Sequence, residues 1–209
     1  MTFDLEFKEA LKLLADVEKD KLILRLLKHD KKLTKKLHFE LIETESIENK
    51  REQIINLILQ ITTVKSSDYF NDGYIIQDIK TMSGLINEHV YITKDKYGEI
   101  SLNSFLILNL LEHYNQKIEE ASYSVTYKLC IYIIARMFKV LLLIQKQHMD
   151  LHIEFKENIE SIGRYIANNQ KLMAIAINNG LDVNWLTQYN IPENLNDIYT
   201  NIRQSGFLR

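Results

Sequence analysis

His148 and His152 are the residues whose spacing comes nearest to a metal site. Four apart, they share a face if the segment is helical, as paired metal ligands do. Asp150 and Glu154 are close in sequence, and His89, His113 or a remote carboxylate would have to complete the set. The glutamate of an HExxH helix is missing, and there is no Glu-x-x-His pair of the kind found in di-iron bundles. The competing reading is a polar helix end, where protonated histidine suits the negative pole of the helix. Spacing alone does not make a site, and no metal or cofactor is assigned.

Other chemistry is sparser still. Cys130 is the one cysteine and sits among Leu129, Ile131 and Tyr132. It cannot form an intrachain disulfide, and no acid or histidine close in sequence would activate it as a nucleophile, so it reads as a small core residue. Gly-rich phosphate loops and a GxSxG elbow are absent. A polar set between Tyr69 and Tyr97 contains Asp72, Asp78, Ser83, His89 and Asp95. It either lines an enzyme pocket or makes up an ordinary helix cap and loop, and the second reading is preferred.

Two basic surfaces remain. Residues 19–36 hold eight cations, including Lys28, Lys31, Lys32, Lys35 and Lys36, against Asp20 and Asp30, a local excess of six. Such a patch can neutralise phosphates or meet an acidic partner. It is equally the solvated face of a helical hairpin, balanced by the glutamates between 40 and 52. The second surface is a strip along the most apolar run of the chain. Lys128, Tyr132, Arg136 and Lys139 recur there at helical spacing, and no acid occurs between Glu120 and Asp150. Either carboxylates of neighbouring helices close the strip, or it stays open as an anion groove. The formal net charge of −2 disfavours a globally basic nucleic-acid binder.

Helices must position all of these groups. One proline and six glycines in 209 residues leave little punctuation for loops. Apolar residues recur every three or four positions over 3–17, 19–28, 33–42, 45–63, 74–86, 103–120, 123–147, 151–168 and 172–178. The run 123–147 is apolar over most of its circumference and is expected at the centre of the fold. Arg136 and Lys139 interrupt it well short of the roughly 20 residues that a membrane span requires. Gly84 falls inside a helical pattern, as a site of close helix approach, and Gly180 follows one, as a left-handed cap. Residues 89–102 have two readings. Val90, Tyr91, Ile92 and Thr93 favour a strand and hence a small β-hairpin, or the preceding helix extends to Thr93 and ends before a loop holding Gly98. Trp185 and Tyr189 in the tail either dock the C-terminus on the core or anchor a partner.

Residues 22–29 (LILRLLKH) and 106–113 (LILNLLEH) agree at six of eight positions. The first three helices loosely resemble HEAT-type helical pairs, which implies stacked hairpins but carries over no functional residue. The expected fold is all-α, an irregular multi-helix bundle or a short HEAT-like solenoid around helix 123–147. It forms one domain, 1–209, within which a helical subdomain 1–63 joins 69–209 through a hinge at 64–68. The N-terminal residues lack a basic stretch followed by an apolar one, so no signal peptide and a cytoplasmic location are expected. The function expected is that of a non-enzymatic adaptor or assembly subunit, partnered by another protein or by itself. A nucleic-acid- or phosphate-binding module is the first alternative and an unrecognised helical enzyme the second.

Overall fold

Every apolar period in the chain folds as a helix. The computed structural model describes residues 2–65 and 72–208, and among these there are eleven helices and no strand. They are α1 (Leu5–Leu13), α2 (Asp16–His29), α3 (Lys31–Leu41), α4 (Ile47–Lys65), α5 (Asp72–Thr93), α6 (Lys96–Glu120), α7 (Tyr123–Ile144), α8 (Met149–Ala167), α9 (Gln170–Asn178), α10 (Asn184–Thr187) and α11 (Leu195–Gln204). No helix among the described residues is long and apolar enough to cross a membrane. Ser66, Ser67 and Asp68 of the expected hinge lie outside the described residues, as does Tyr69.

Contacts divide the chain into two units. One comprises Met1–Glu45 with Tyr91–Thr93, and the other Ser46–Val90 with Lys94–Arg209. In the first, the helices are set by local bonds. Asp4 caps α1 by accepting from the Phe7 amide at 2.7 Å. Asp30 ends α2 and also caps α3, accepting from the Leu33 amide at 2.9 Å. Thr34 Oγ1 donates to the Leu27 carbonyl at 2.7 Å and fixes that one-residue junction. None of α1, α2 and α3 contains a buried residue. The resemblance to HEAT-type pairs therefore finds no support, because stacked repeats bury a continuous core.

The second unit holds the core. Helix α7 is apolar nearly all round, and Leu129, Ile133, Ile134, Met137, Phe138 and Leu141 are almost fully buried. Helix α6 shares the centre with it. It packs against α4, α7, α8 and α9, whereas α7 packs against α6, α9 and α11. A helix with four such neighbours belongs to an irregular bundle rather than to serially stacked hairpins.

Residues 89–102 form no hairpin. The apolar face of α5, Ile75, Ile79, Met82 and Ile86, is buried at helical spacing, and packing carries the helix through the strand-forming residues 90–93. Lys94, at φ 60°, then turns the chain, and Asp95 caps α6 at once. Gly98 is thus part of the first turn of α6, not of a loop. Close helix approach occurs at Gly163, where a Cβ would come within 2.8 Å of Leu186 Cβ, and not at Gly84, where a Cβ would meet nothing within 4 Å. Gly180, at φ 77°, is the left-handed residue after α9.

Long-range polar bonds tie the helix ends. Asn169 caps α9 through the Leu172 amide at 2.9 Å and donates to the Asn115 carbonyl, also at 2.9 Å. Lys171 Nζ donates to the carbonyls of Ile118, Glu119 and Ala121, so a cation from α9 completes the negative end of α6. The tail docks on the core through Leu195 and Leu208, and the Tyr199 ring lies 5.4 Å from that of Phe138.

Candidate functional sites

Four places gather the polar residues of the chain. The first is the strip on α7. Arg136 is half-buried, and its guanidinium lies 4.9 Å from the centre of the Tyr132 ring. It donates to Asn103 Oδ1 from Nη1 and to Ser83 Oγ from Nη2, the latter at 2.6 Å. Ser83 and the Tyr132 hydroxyl are 2.5 Å apart. Asn103 and Ser83 are themselves buried. The cation is therefore held by neutral acceptors, one from α6 and one from α5, and by an aromatic face. Among the described residues no carboxylate lies within ion-pair distance of it. Burial pushes the Tyr132 phenol above its ordinary range, against the opposing pull of Arg136 and Ser83. Lys139 is paired instead, with Glu99 of α6 at 2.8 Å, and Lys128 is exposed. The strip is thus divided: its middle, partly buried, knits three helices together, and of its four residues only Lys128 is exposed.

The second place was not legible as a unit. Asp95 and His89 are both buried. Asp95 Oδ2 lies 2.5 Å from Arg51 Nε and 3.0 Å from His89 Nε2, while Oδ1 accepts from the Gly98 amide at 2.8 Å. Arg51 also lies over the Tyr97 ring, 5.0 Å from its centre. Burial alone would raise the Asp95 carboxyl, but the bonds from His89, Gly98 and Arg51 outweigh it and hold the group below its ordinary value of 3.8. A His–Asp pair suggests general-base chemistry. Here the bonds of Asp95 to Arg51 and to His89 join α4, α5 and α6. The signal available in the sequence was the cap pattern itself, an aspartate three residues before a glycine amide. Ser101 and Asn103 are also capping types but lie inside α6.

The third is a cleft of about 660 Å³ where α7 ends and α8 begins, lined by Gln145, Lys146, Met149, His152, Tyr189 and Glu193 among others. His148 is not on a helix face with His152. It precedes α8 as the N-cap, its Nδ1 3.4 Å from the Asp150 amide, while His152 Nε2 is 3.3 Å from the Gln147 carbonyl. No group of three or more His, Cys, Asp or Glu side chains among the described residues is arranged to hold a metal ion. Tyr189, at φ 52°, donates its hydroxyl to the His152 carbonyl at 2.6 Å, and burial pushes its phenol up to about 12. Trp185 is half-buried against the core. Cys130 is fully buried, and burial pushes its thiol up to about 12.

The fourth is the surface of the first unit. Lys28, Lys31 and Lys32 are exposed, and among the described residues no acid lies within ion-pair distance of them. Lys36 pairs with Glu40 at 3.5 Å, and Lys35 also has an interaction partner. Apolar residues are exposed between these charges: Leu13 is 86% exposed, Leu24 61% and Leu41 78%. Half of all the large exposed hydrophobics among the described residues fall between Phe3 and Ile42.

Compared with known proteins, the chain matches no family model, and no curated protein or solved structure is significantly similar to it.

Proposed function

We propose that this chain is a non-enzymatic interaction protein, an adaptor or a subunit of a larger assembly, and that it docks through α1–α3. One observation carries the reading: three consecutive amphipathic helices bury no side chain and leave Leu5, Leu13, Leu24 and Leu41 more than half exposed. So many large apolar side chains exposed among charges within one short segment suit a contact surface. The groups best suited to chemistry support the same view from the other side, since Arg136, Asp95 and His89 are each committed to bonds between helices. The partner is another protein or a second copy of the chain, met in the cytoplasm, where a single reduced cysteine is at home.

The test is native purification of the full chain beside a Leu24→Glu, Leu26→Glu variant. The reading expects a stoichiometric partner or a defined oligomer with the native chain and neither with the variant. A monomer that brings down nothing refutes it. A nucleic-acid- or phosphate-binding module is the second reading, favoured by the unpaired Lys28, Lys31 and Lys32. It requires retention on DNA or RNA at low salt, with a shallower salt dependence after Lys31→Glu and Lys32→Glu.

A further inference from the structure

We propose that the partner of α1–α3 is the same unit of a second copy, paired about a two-fold axis with the two α2 helices antiparallel. The inference rests on the interaction reading above and names the occupant of that surface. It starts from charge. Residues 4–20 carry six acids and three cations, residues 21–36 carry seven cations and one acid, and residues 37–45 carry three acids and no lysine or arginine. The ten acids and ten cations of the unit cancel, yet they are segregated along the chain. A neutral surface divided into acidic and basic stretches is complementary to itself, which is what an isologous interface requires.

Helix α2 shows the division most plainly. Its first turns carry Asp16, Glu18 and Asp20 beside Lys19 and Lys21, and its last turns carry Arg25, Lys28 and His29 with no acid. Two such helices crossing antiparallel near Leu22 and Ile23 set each acidic end against the basic end of the other. Leu24, 61% exposed, lies near the centre of that crossing, on the face that also carries Asp20 and Lys28 four residues to either side. Part of the charge is neutralised within the unit: Lys12 pairs with Glu9 at 2.9 Å and Lys36 with Glu40 at 3.5 Å, and Lys35, Glu43 and Glu45 also have interaction partners. Asp16 reaches Lys19 at 3.5 Å, but no acid among the described residues pairs with Arg25, Lys28, Lys31 or Lys32.

The same charge pattern argues against the other occupants. An anionic membrane or a nucleic-acid backbone attracts the cations of 21–36 but repels the nine acids on either side of them. Neither makes use of a net charge of zero. A nucleic-acid backbone, in addition, gains little from exposed leucines.

Sedimentation velocity on the full chain, over a hundredfold range of concentration, tests the proposal. The native chain is expected to form a dimer and the Leu24→Glu, Leu26→Glu variant to stay monomeric. Two charge-reversed chains, Asp16→Lys with Asp20→Lys and Arg25→Glu with Lys28→Glu, are each expected to lose at least about tenfold in self-affinity, and their mixture to recover a mixed dimer. All of these positions are exposed, apart from the interface proposed here, so helicity by circular dichroism should match the native chain. A native monomer at the highest concentration overturns the proposal, as does a dimer indifferent to every variant. Binding of a monomer to phosphatidylserine vesicles overturns it too. A monomer that still co-purifies with another protein, in an association abolished by Leu24→Glu with Leu26→Glu, sinks the self-pairing alone. No dimer and no partner sinks the interaction reading as well.

Discussion

Asp95→Ala should be among the most damaging single changes in the second unit. The substitution removes three interactions at once. The cap of α6 through the Gly98 amide at 2.8 Å accounts for about 1 kcal/mol. The Arg51 contact at 2.5 Å is an ion pair between a carboxylate that is 5% exposed and a guanidinium side chain that is 21% exposed. Breaking one side of a pair this poorly hydrated leaves an uncompensated charge and costs about 3–5 kcal/mol in fully buried cases. Arg51 retains a path to solvent and its stacking on Tyr97, so a total of about 3–4 kcal/mol is expected once the cap is included. The pH dependence has a definite sign. The folded carboxyl titrates below the ordinary value of 3.8, so its contribution is fully present above that value and is lost as pH falls through the lower, folded one. Urea unfolding at neutral pH and at steps down to strongly acidic pH measures both effects. Asp95→Asn keeps the shape, and its stability should fall less steeply than that of the native protein over the acid range. A loss below about 1 kcal/mol for Asp95→Ala would mean that the cluster is solvated and that the reasoning from burial fails. So would parallel acid profiles of the native chain and Asp95→Asn.

Two glycines in neighbouring helices should respond oppositely. Gly98→Ala places a Cβ 2.0 Å from Asp95 Oδ2 and should cost about 1–3 kcal/mol in the same urea assay. Gly84→Ala meets nothing and should stabilise α5 by up to about 1 kcal/mol, visible as a higher urea midpoint with unchanged slope. Cys130, with its buried thiol raised to about 12, should resist a disulfide reagent at mildly alkaline pH in the folded protein and react fully in denaturant. Rapid labelling of the folded chain would show the core around α7 to be open.

Much of the fold was legible because hydrophobic period is a local property. The long apolar run of α7, the amphipathic faces of α1–α3 and the left-handed residue Gly180 are all set by neighbours in sequence. What was not legible depends on which helices meet. Nothing within residues 96–120 shows that α6 touches four other helices, since that requires its partners on every side. The same holds for Arg136: the spacing placed it on a basic strip, but its acceptors, Ser83 and Asn103, lie 53 and 33 residues away. The choice left open at 89–102, which falls to the helix extended to Thr93, has a different cause. Strand propensity at Val90 to Thr93 is real but small, and the burial of Ile79, Met82 and Ile86 on one continuous helical face outweighs it. The two matching octapeptides make the point most directly. Leu106 and Leu110 are sealed in the core, whereas their counterparts Leu22 and Leu26 are not buried, because what surrounds a helix is not written in its own period.

Helices α1–α3 are capped and joined by local bonds but bury no side chain. Their amide hydrogens are therefore shielded from exchange with solvent only by the helix–coil balance of each segment. For helices of 9 to 14 residues that balance is marginal in water. Deuterium uptake across residues 2–45 then becomes a gauge of occupancy. It runs fast while the surface is bare and slows toward the rates of α6 and α7 only when something covers it.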